Sequence, residues 1–229
     1  MIREEIVHIN GIPKKLVIFL HGYLDDADSV DNRLHEFYDA LPDCAIHIPQ
    51  APFPCEVDVK MRQWYSMYRF DPTYERKKAP DMQSFVAYYN KMSLGLLETY
   101  NFLLPYIEQT LAEYNLSYQD LYLCGFSQGA MAAIYMALMC PEKIAGLISF
   151  SGIIAGHEYL DKNAKQAPPA LLLHGQEDRM LRPESLAFTA EKLRKLGCNV
   201  IYNNISGGGH TLNKEGMKYA ADFIKSHTI

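Results

Sequence analysis

The chain has 229 residues, 48% of them hydrophobic and 21% charged, with a formal net charge of −5 at pH 7. That is apolar material enough for one sizeable core, and the mildly acidic balance lacks the footprint of a nucleic-acid binder. No run approaches the ~18 apolar residues of a membrane span, so no stable membrane insertion is expected.

The start, Met1-Ile2-Arg3-Glu4-Glu5, is charged and has no signal-like apolar stretch behind it. The five cysteines (44, 55, 124, 140 and 198) form no Cys-x-x-Cys pair. An odd, scattered set argues for a reducing, cytoplasmic setting and against a disulfide framework or a zinc ribbon.

In chain order, the first buried-strand pattern is 15–20 (KLVIFL), followed by a shorter one at 45–48. Residues 65–89 break the pattern, scattering Tyr65, Tyr68, Phe70, Tyr74, Phe85, Tyr88 and Tyr89 among charges and prolines. The segment reads as an irregular excursion, either packed by its own aromatics or forming a wall beside an acyl or aromatic pocket. Its basic cluster, Arg76-Lys77-Lys78, reads as solvated surface. Helical spacing covers 94–115, where Pro105 predicts a break or kink.

A strand at 121–124 then leads into Gly125-Phe126-Ser127-Gln128-Gly129, and a helix follows over 129–139. Further strands are read at 147–150, 170–173 and 200–205, and further helices at 183–196 and 216–227. Strands alternating with helices predict an α/β fold with a mostly parallel sheet and helices on both faces, in one domain over 1–229.

The Gly125–Gly129 knot sits where a strand hands over to a helix, the sheet edge at which ligands bind. A serine in such a turn is held clear of the backbone, the flanking glycines relieve crowding, and the helix N-terminus favours developing negative charge. Ser127 is therefore the candidate nucleophile. It needs a base, and the base needs an orienting acid. Of the later histidines, His210 ends Gly207-Gly208-Gly209-His210 between a strand and a helix, where a loop delivers an imidazole to the sheet edge. His174 reads as a local partner at a strand end, His157 has no flanking signal, and His227 reads as solvated. The acid lies in "HGQEDRM", and spacing alone does not separate Glu177 from Asp178. An oxyanion hole needs the N–H of Gln128 and a second donor from an early strand-to-helix loop. His21-Gly22 shapes such a loop, with the Tyr23 N–H as donor.

These stretches, together with "FLHGY.DD", "PQAPFP", "RQWY", "GFSQGAM", "AEKLRKLG" and "GGGH", resemble the bacterial carboxylesterase/phospholipase and acyl-protein thioesterase group of α/β-hydrolases over nearly the whole chain. The resemblance implies an α/β-hydrolase fold, Ser127 as nucleophile, Asp178 as acid, His210 as base, and Tyr23 and Gln128 as oxyanion donors. It implies small-molecule ester or thioester substrates, with lipids and acylated proteins in range, and no cofactor; no metal-ligand spacing is present either. Family members sometimes pair, so a homodimer is an expectation.

Three departures stand out. Leu24 replaces a common glycine and brings an apolar side chain near the acyl site. Trp64-Tyr65-Ser66 replaces a pattern ending in aspartate, with Trp64 read mainly as a packing anchor and both aromatics as candidate substrate contacts. Arg179-Met180-Leu181-Arg182-Pro183 follows the acid and predicts a more cationic wall. Two rivals keep parts of the pattern: a dienelactone-hydrolase-like or peptidase-like enzyme of the same fold, and a non-catalytic binding protein on this scaffold. Gly207-Gly208-Gly209 lacks the following Lys-Ser/Thr of a phosphate loop, and Cys124 reads as a small buried strand residue.

Overall fold

The computed structural model describes residues 5–226; His227 lies outside them. The chain enters through β1 (Glu5–Asn10) and β2 (Lys15–Leu20), then two short helices, α1 (Ala27–Asp31) and α2 (His35–Asp39), before β3 (Cys44–Pro49). A two-residue hairpin, β4 (Phe53–Pro54) and β5 (Arg62–Gln63), precedes α3 (Met67–Phe70), α4 (Met82–Asn90) and α5 (Ser93–Glu113). From there strands and helices alternate: β6 (Leu121–Phe126), α6 (Gln128–Met139), β7 (Gly146–Phe150), α7 (His157–Asn163), β8 (Ala170–Gly175), α8 (Glu184–Lys195), β9 (Val200–Ile205) and α9 (Lys214–Ser226).

Seven strands form one sheet in the order β1-β3-β2-β6-β7-β8-β9. β1 runs antiparallel to β3, and the other neighbours are parallel. Apolar runs such as KLVIFL make central strands because both faces are covered. Leu16, Ile18 and Leu20 point into the layer that holds α5, α6 and α8, while Val17 and Phe19 point into the layer of α1, α2 and α9.

All six expected strands are present, β6 and β8 each two residues longer than their apolar runs. β1 escaped the reading because an edge strand has no buried run to show: in EIVHIN only Ile6 and His8 are even half-buried. The expected break at Pro105 does not occur, and α5 continues for 21 residues. Both Pro105 and Asn101, whose carbonyl loses its helical partner, are exposed, so the gap in the hydrogen-bond ladder lies on the solvent side of the helix. The 65–89 segment is not irregular either. Ser66 caps α3 through its Oγ, 2.9 Å from the Arg69 N–H, and Asp81 caps α4 at 2.7 Å from the Ser84 N–H, with a 3-10 turn at Glu75–Lys78 between them. Ser66 is thus a helix cap in this chain.

Candidate active site

Ser127 occupies the turn between β6 and α6 with φ 53° and ψ −114°, a left-handed conformation that a serine rarely adopts. Close backbone approach enforces it. A Cβ on Gly129 would stand 2.1 Å from the Leu20 carbonyl oxygen, and one on Gly125 would stand 2.3 Å from the Gly129 oxygen. Only hydrogen fits at either place, so α6 docks directly against the end of β2. The Ser127 N–H donates to the Phe150 carbonyl at 2.9 Å, which ties the turn to β7.

The loops after β8 and β9 are knitted together in the same way. The Gln176 N–H donates to Ile205 at 3.0 Å and the Glu177 N–H to Gly208 at 2.8 Å. A Cβ on Gly175 would meet the Gly208 oxygen at 2.2 Å, so the glycine loop lies flat on the end of β8. His210 and Asp178 are thereby brought together. His210 Nδ1 lies 2.7 Å from Asp178 Oδ2, and His210 Nε2 lies 2.9 Å from Ser127 Oγ. Facing a carboxylate, Nδ1 holds the ring proton, which leaves Nε2 as the acceptor of the serine O–H. The Phe126 ring, 4.9 Å from the imidazole centroid, backs it.

Asp178 is fully saturated. Its Oδ1 accepts the Met180 and Leu181 N–H groups at 2.8 and 2.9 Å. Its Oδ2 faces His210 and also His174, whose Nε2 lies 3.2 Å away and 3.1 Å from the Leu181 carbonyl. Two acceptors around Nε2 place the His174 proton there. Burial works to raise the Asp178 pKa, but the hydrogen bonds from His174, His210 and Leu181 outweigh it and hold the carboxyl well below the usual carboxylate range. Glu177 is exposed and stands outside this network.

The backbone N–H groups of Tyr23 and Gln128 have no acceptor among the described residues. His21 sets the first loop: its Nδ1 donates to the Gly22 carbonyl at 2.8 Å and its Nε2 accepts the Ala51 N–H at 3.0 Å. Burial lowers the His21 pKa, in keeping with this neutral tautomer. The Gln128 side chain reaches away from the site, accepting the Trp64 N–H at 2.9 Å and donating to the Tyr65 carbonyl at 2.8 Å.

A cavity of about 370 Å³ opens above Ser127. Its walls come from the turn (Phe126, Ser127, Gln128), the first loop (Tyr23, Leu24), the 65–89 segment (Met67, Tyr74, Arg76, Lys77, Tyr89), Met131, and Met180 with Leu181. Leu24 lines the cavity, and its φ of 56° explains why a glycine suits that position. Trp64 and Tyr65, the candidate substrate contacts, do not line the cavity, and Trp64 is a packing anchor, its main reading from the sequence. Both are fully buried behind it, Trp64 donating its indole N–H to the His21 carbonyl at 2.9 Å and Tyr65 resting its hydroxyl on Met131 Sδ at 3.3 Å. Arg179 and Arg182 do not make the wall cationic: neither lines the cavity, and Arg182 donates to the Ala79 carbonyl over the Phe85 ring. The cationic groups come instead from Arg76 and Lys77. Arg76 is buried against Asp71, at 2.6 Å, rather than solvated. Spacing did carry a signal for Met131, which lies one helical turn beyond Ser127, and Tyr89 belonged to the aromatic set.

His157 packs against the Phe188 ring away from the cavity, and Cys124 is a buried strand residue, its thiol pKa raised by burial. Among the described residues no cluster of three or more His, Cys, Asp or Glu is placed to hold a metal ion, and no helix is long and apolar enough to cross a membrane.

A mostly parallel sheet with helices on both faces, carrying this serine at the end of a central strand, defines an α/β-hydrolase of the serine type. Residues 2–228 match the family model described as Phospholipase/Carboxylesterase, and the chain belongs to that family. Acyl-protein thioesterase 1 of Gibberella zeae is 24% identical over 219 residues, covering 91% of this chain and 88% of its own. Carboxylesterase SOBER1 of Arabidopsis thaliana is 24% identical over 220 residues, covering 93% and 90%. The crystal structure of esterase PE8 matches with a TM-score of 0.83 at 27% identity, covering 97% of each chain.

Proposed function

We propose that the protein cleaves carboxylic esters or thioesters through an acyl-enzyme formed on Ser127. The observation that carries this is the unbroken hydrogen-bond chain from Ser127 Oγ through His210 to Asp178, with links of 2.9 and 2.7 Å. As Oγ attacks the substrate carbonyl carbon, its proton passes to His210 Nε2, and the Asp178 carboxylate stabilises the imidazolium that forms. The charge on the carbonyl oxygen is met by the unoccupied N–H groups of Tyr23 and Gln128. Collapse of the tetrahedral species expels the alcohol or thiol, which takes the proton back from His210. Water then repeats the sequence on the acyl-enzyme, with His210 again as base, and releases the acid.

The apolar share of the cavity wall (Leu24, Met67, Met131, Met180 and Leu181) suits an acyl chain, and relatives named thioesterase and carboxylesterase support both ester classes. The family resemblance also supports a lipid or acylated-protein substrate and pairing into a homodimer. We place the protein in the cytoplasm as a single hydrolase domain. Five buried, unpaired cysteines support that setting.

Ser127→Ala tests the reading. Hydrolysis of p-nitrophenyl butyrate should fall by roughly 10⁴–10⁶ in kcat, and labelling by a fluorophosphonate probe should disappear. A Ser127→Ala protein that keeps near wild-type turnover would sink it.

A further inference from the structure

The charge in the cavity runs opposite to the charge of the chain. The protein carries a net −5, yet among the described residues no aspartate or glutamate lines the cavity, while Arg76 and Lys77 both do. Arg76 is a costly residue to place there, since its side chain is only 8% exposed. Its partner Asp71 is used up inside the chain: Oδ1 accepts the Glu75 N–H at 2.8 Å, and Oδ2 takes both the Arg76 N–H at 3.2 Å and the Arg76 Nη1 at 2.6 Å. The carboxylate therefore fixes the turn and aims the guanidinium. The guanidinium has five N–H donors; Asp71 engages Nη1, the Tyr89 hydroxyl of the same cavity wall lies against the guanidinium as well, and the remaining donors are open to a ligand. The Tyr74 ring packs 4.9 Å from it and lines the same cavity.

Lys77 adds a second cation at the mouth. Its ammonium sits 5.7 Å from the Tyr74 ring centroid, and no carboxylate among the described residues pairs with it. Its neighbour Lys78 differs, being paired with Glu75 at 3.0 Å and outside the cavity wall. The backbone sorts the three basic residues. Tyr74 takes a left-handed φ of 54°, which turns the 3-10 segment so that residues 76 and 77 reach the cavity.

Resting on the hydrolase reading above, we propose that this cavity selects esters or thioesters that carry an anionic oxygen group, a carboxylate or a phosphate, away from the scissile carbonyl. The spare N–H donors of Arg76 hydrogen-bond that group, as a guanidinium does with either anion, and Lys77 supplies long-range attraction at the entrance.

The test compares matched substrate pairs. Mono-p-nitrophenyl glutarate against p-nitrophenyl butyrate places a carboxylate on the acyl end. 4-(Butanoyloxy)phenyl phosphate against phenyl butyrate places a phosphate on the leaving group. At least one anionic member should exceed its neutral match in kcat/KM by about tenfold, and the arm that does so identifies which end carries the anion. The ratio should shrink as salt rises from about 20 mM to about 0.5 M. Lys77→Glu should collapse it, Arg76→Met likewise if that variant folds, and Lys78→Glu should leave it in place. Neutral esters turned over with no anionic preference in either arm would overturn this proposal and leave the hydrolase reading standing. So would equal loss of the ratio in Lys77→Glu and Lys78→Glu. A folded wild type that neither hydrolyses neutral esters nor takes up a fluorophosphonate would overturn both.

Discussion

On the side of the cavity that carries Ser127, His210 and Asp178, position is set by the main chain. Glycines 125, 129 and 175 let backbone segments touch with no room for a methyl group, and the loops after β8 and β9 are stitched by their own N–H and C=O groups. On the opposite side, the 65–89 segment places side chains on short capped helices and one 3-10 turn. There the wall is made by what Tyr74, Arg76, Lys77 and Tyr89 present, none of which stands on a strand. The difference teaches that the proposed triad is built into the sheet ends, while on the proposed reading selectivity is a matter of side chains that the sheet does not hold.

The largest predicted effects fall on the first side. Asp178→Asn should lower kcat by about 10⁴, because an amide no longer enforces the tautomer with Nδ1 protonated. It also carries a pH signature. The folded pKa of Asp178 lies below the ordinary carboxylate value of about 3.9, so its contribution to stability is complete above that pH and is lost as the pH falls through the folded value. The melting-temperature gap between wild type and Asp178→Asn should therefore be widest near neutrality and close below about pH 4. A gap that widens in acid would contradict the assignment.

Next comes Gly129→Ala. Its methyl group collides with the Leu20 and His21 carbonyl oxygens, and urea denaturation should show a loss of about 3 kcal/mol. A change under about 0.5 kcal/mol would mean that α6 is free to slide, and the contrast between the two sides would fail. His174→Ala removes one donor from Asp178 and should reduce kcat about tenfold. Its KM should stay close to wild type, because His174 does not line the cavity. The smallest effect is expected on the second side. Leu24→Gly relieves a left-handed leucine but loosens the unfolded chain, so stability should change by no more than about 0.5 kcal/mol. Its selectivity should still shift several-fold toward longer acyl chains in a p-nitrophenyl ester series, since the mouth is widened.

The same division explains what could be read in the amino-acid sequence. Ser127, Asp178 and His210 stand at the ends of apolar runs with glycines around them, and local sequence announces such places. The choice of Asp178 over Glu177 needed the family resemblance. In the structure the two acids differ in burial and in their partners, and spacing encodes neither. Arg76 was misread because a basic triplet in a charged stretch looks solvated. Its burial depends on Asp71 and on packing against α4, which are tertiary facts. Trp64 and Tyr65 were candidate substrate contacts as well, and only their hydrogen bonds to His21 and to the Gln128 amide, which are tertiary, decide that they stay one layer back.

Gln128 does two unrelated things. Its backbone is one of the proposed oxyanion donors, and its side-chain amide clasps Trp64 and Tyr65, where the excursion begins. The excursion is thus hung from the hydrolytic frame at its start by a two-pronged hook, alongside the Trp64 indole on the His21 carbonyl, and held further on by Arg182 on the Ala79 carbonyl. A segment of different composition, grafted between that clasp and α4, has to keep the two peptide groups that the hook grips and the Ala79 carbonyl that Arg182 holds. On the proposed reading, substrate range can then be exchanged as a cassette above a hydrolytic frame that is left untouched.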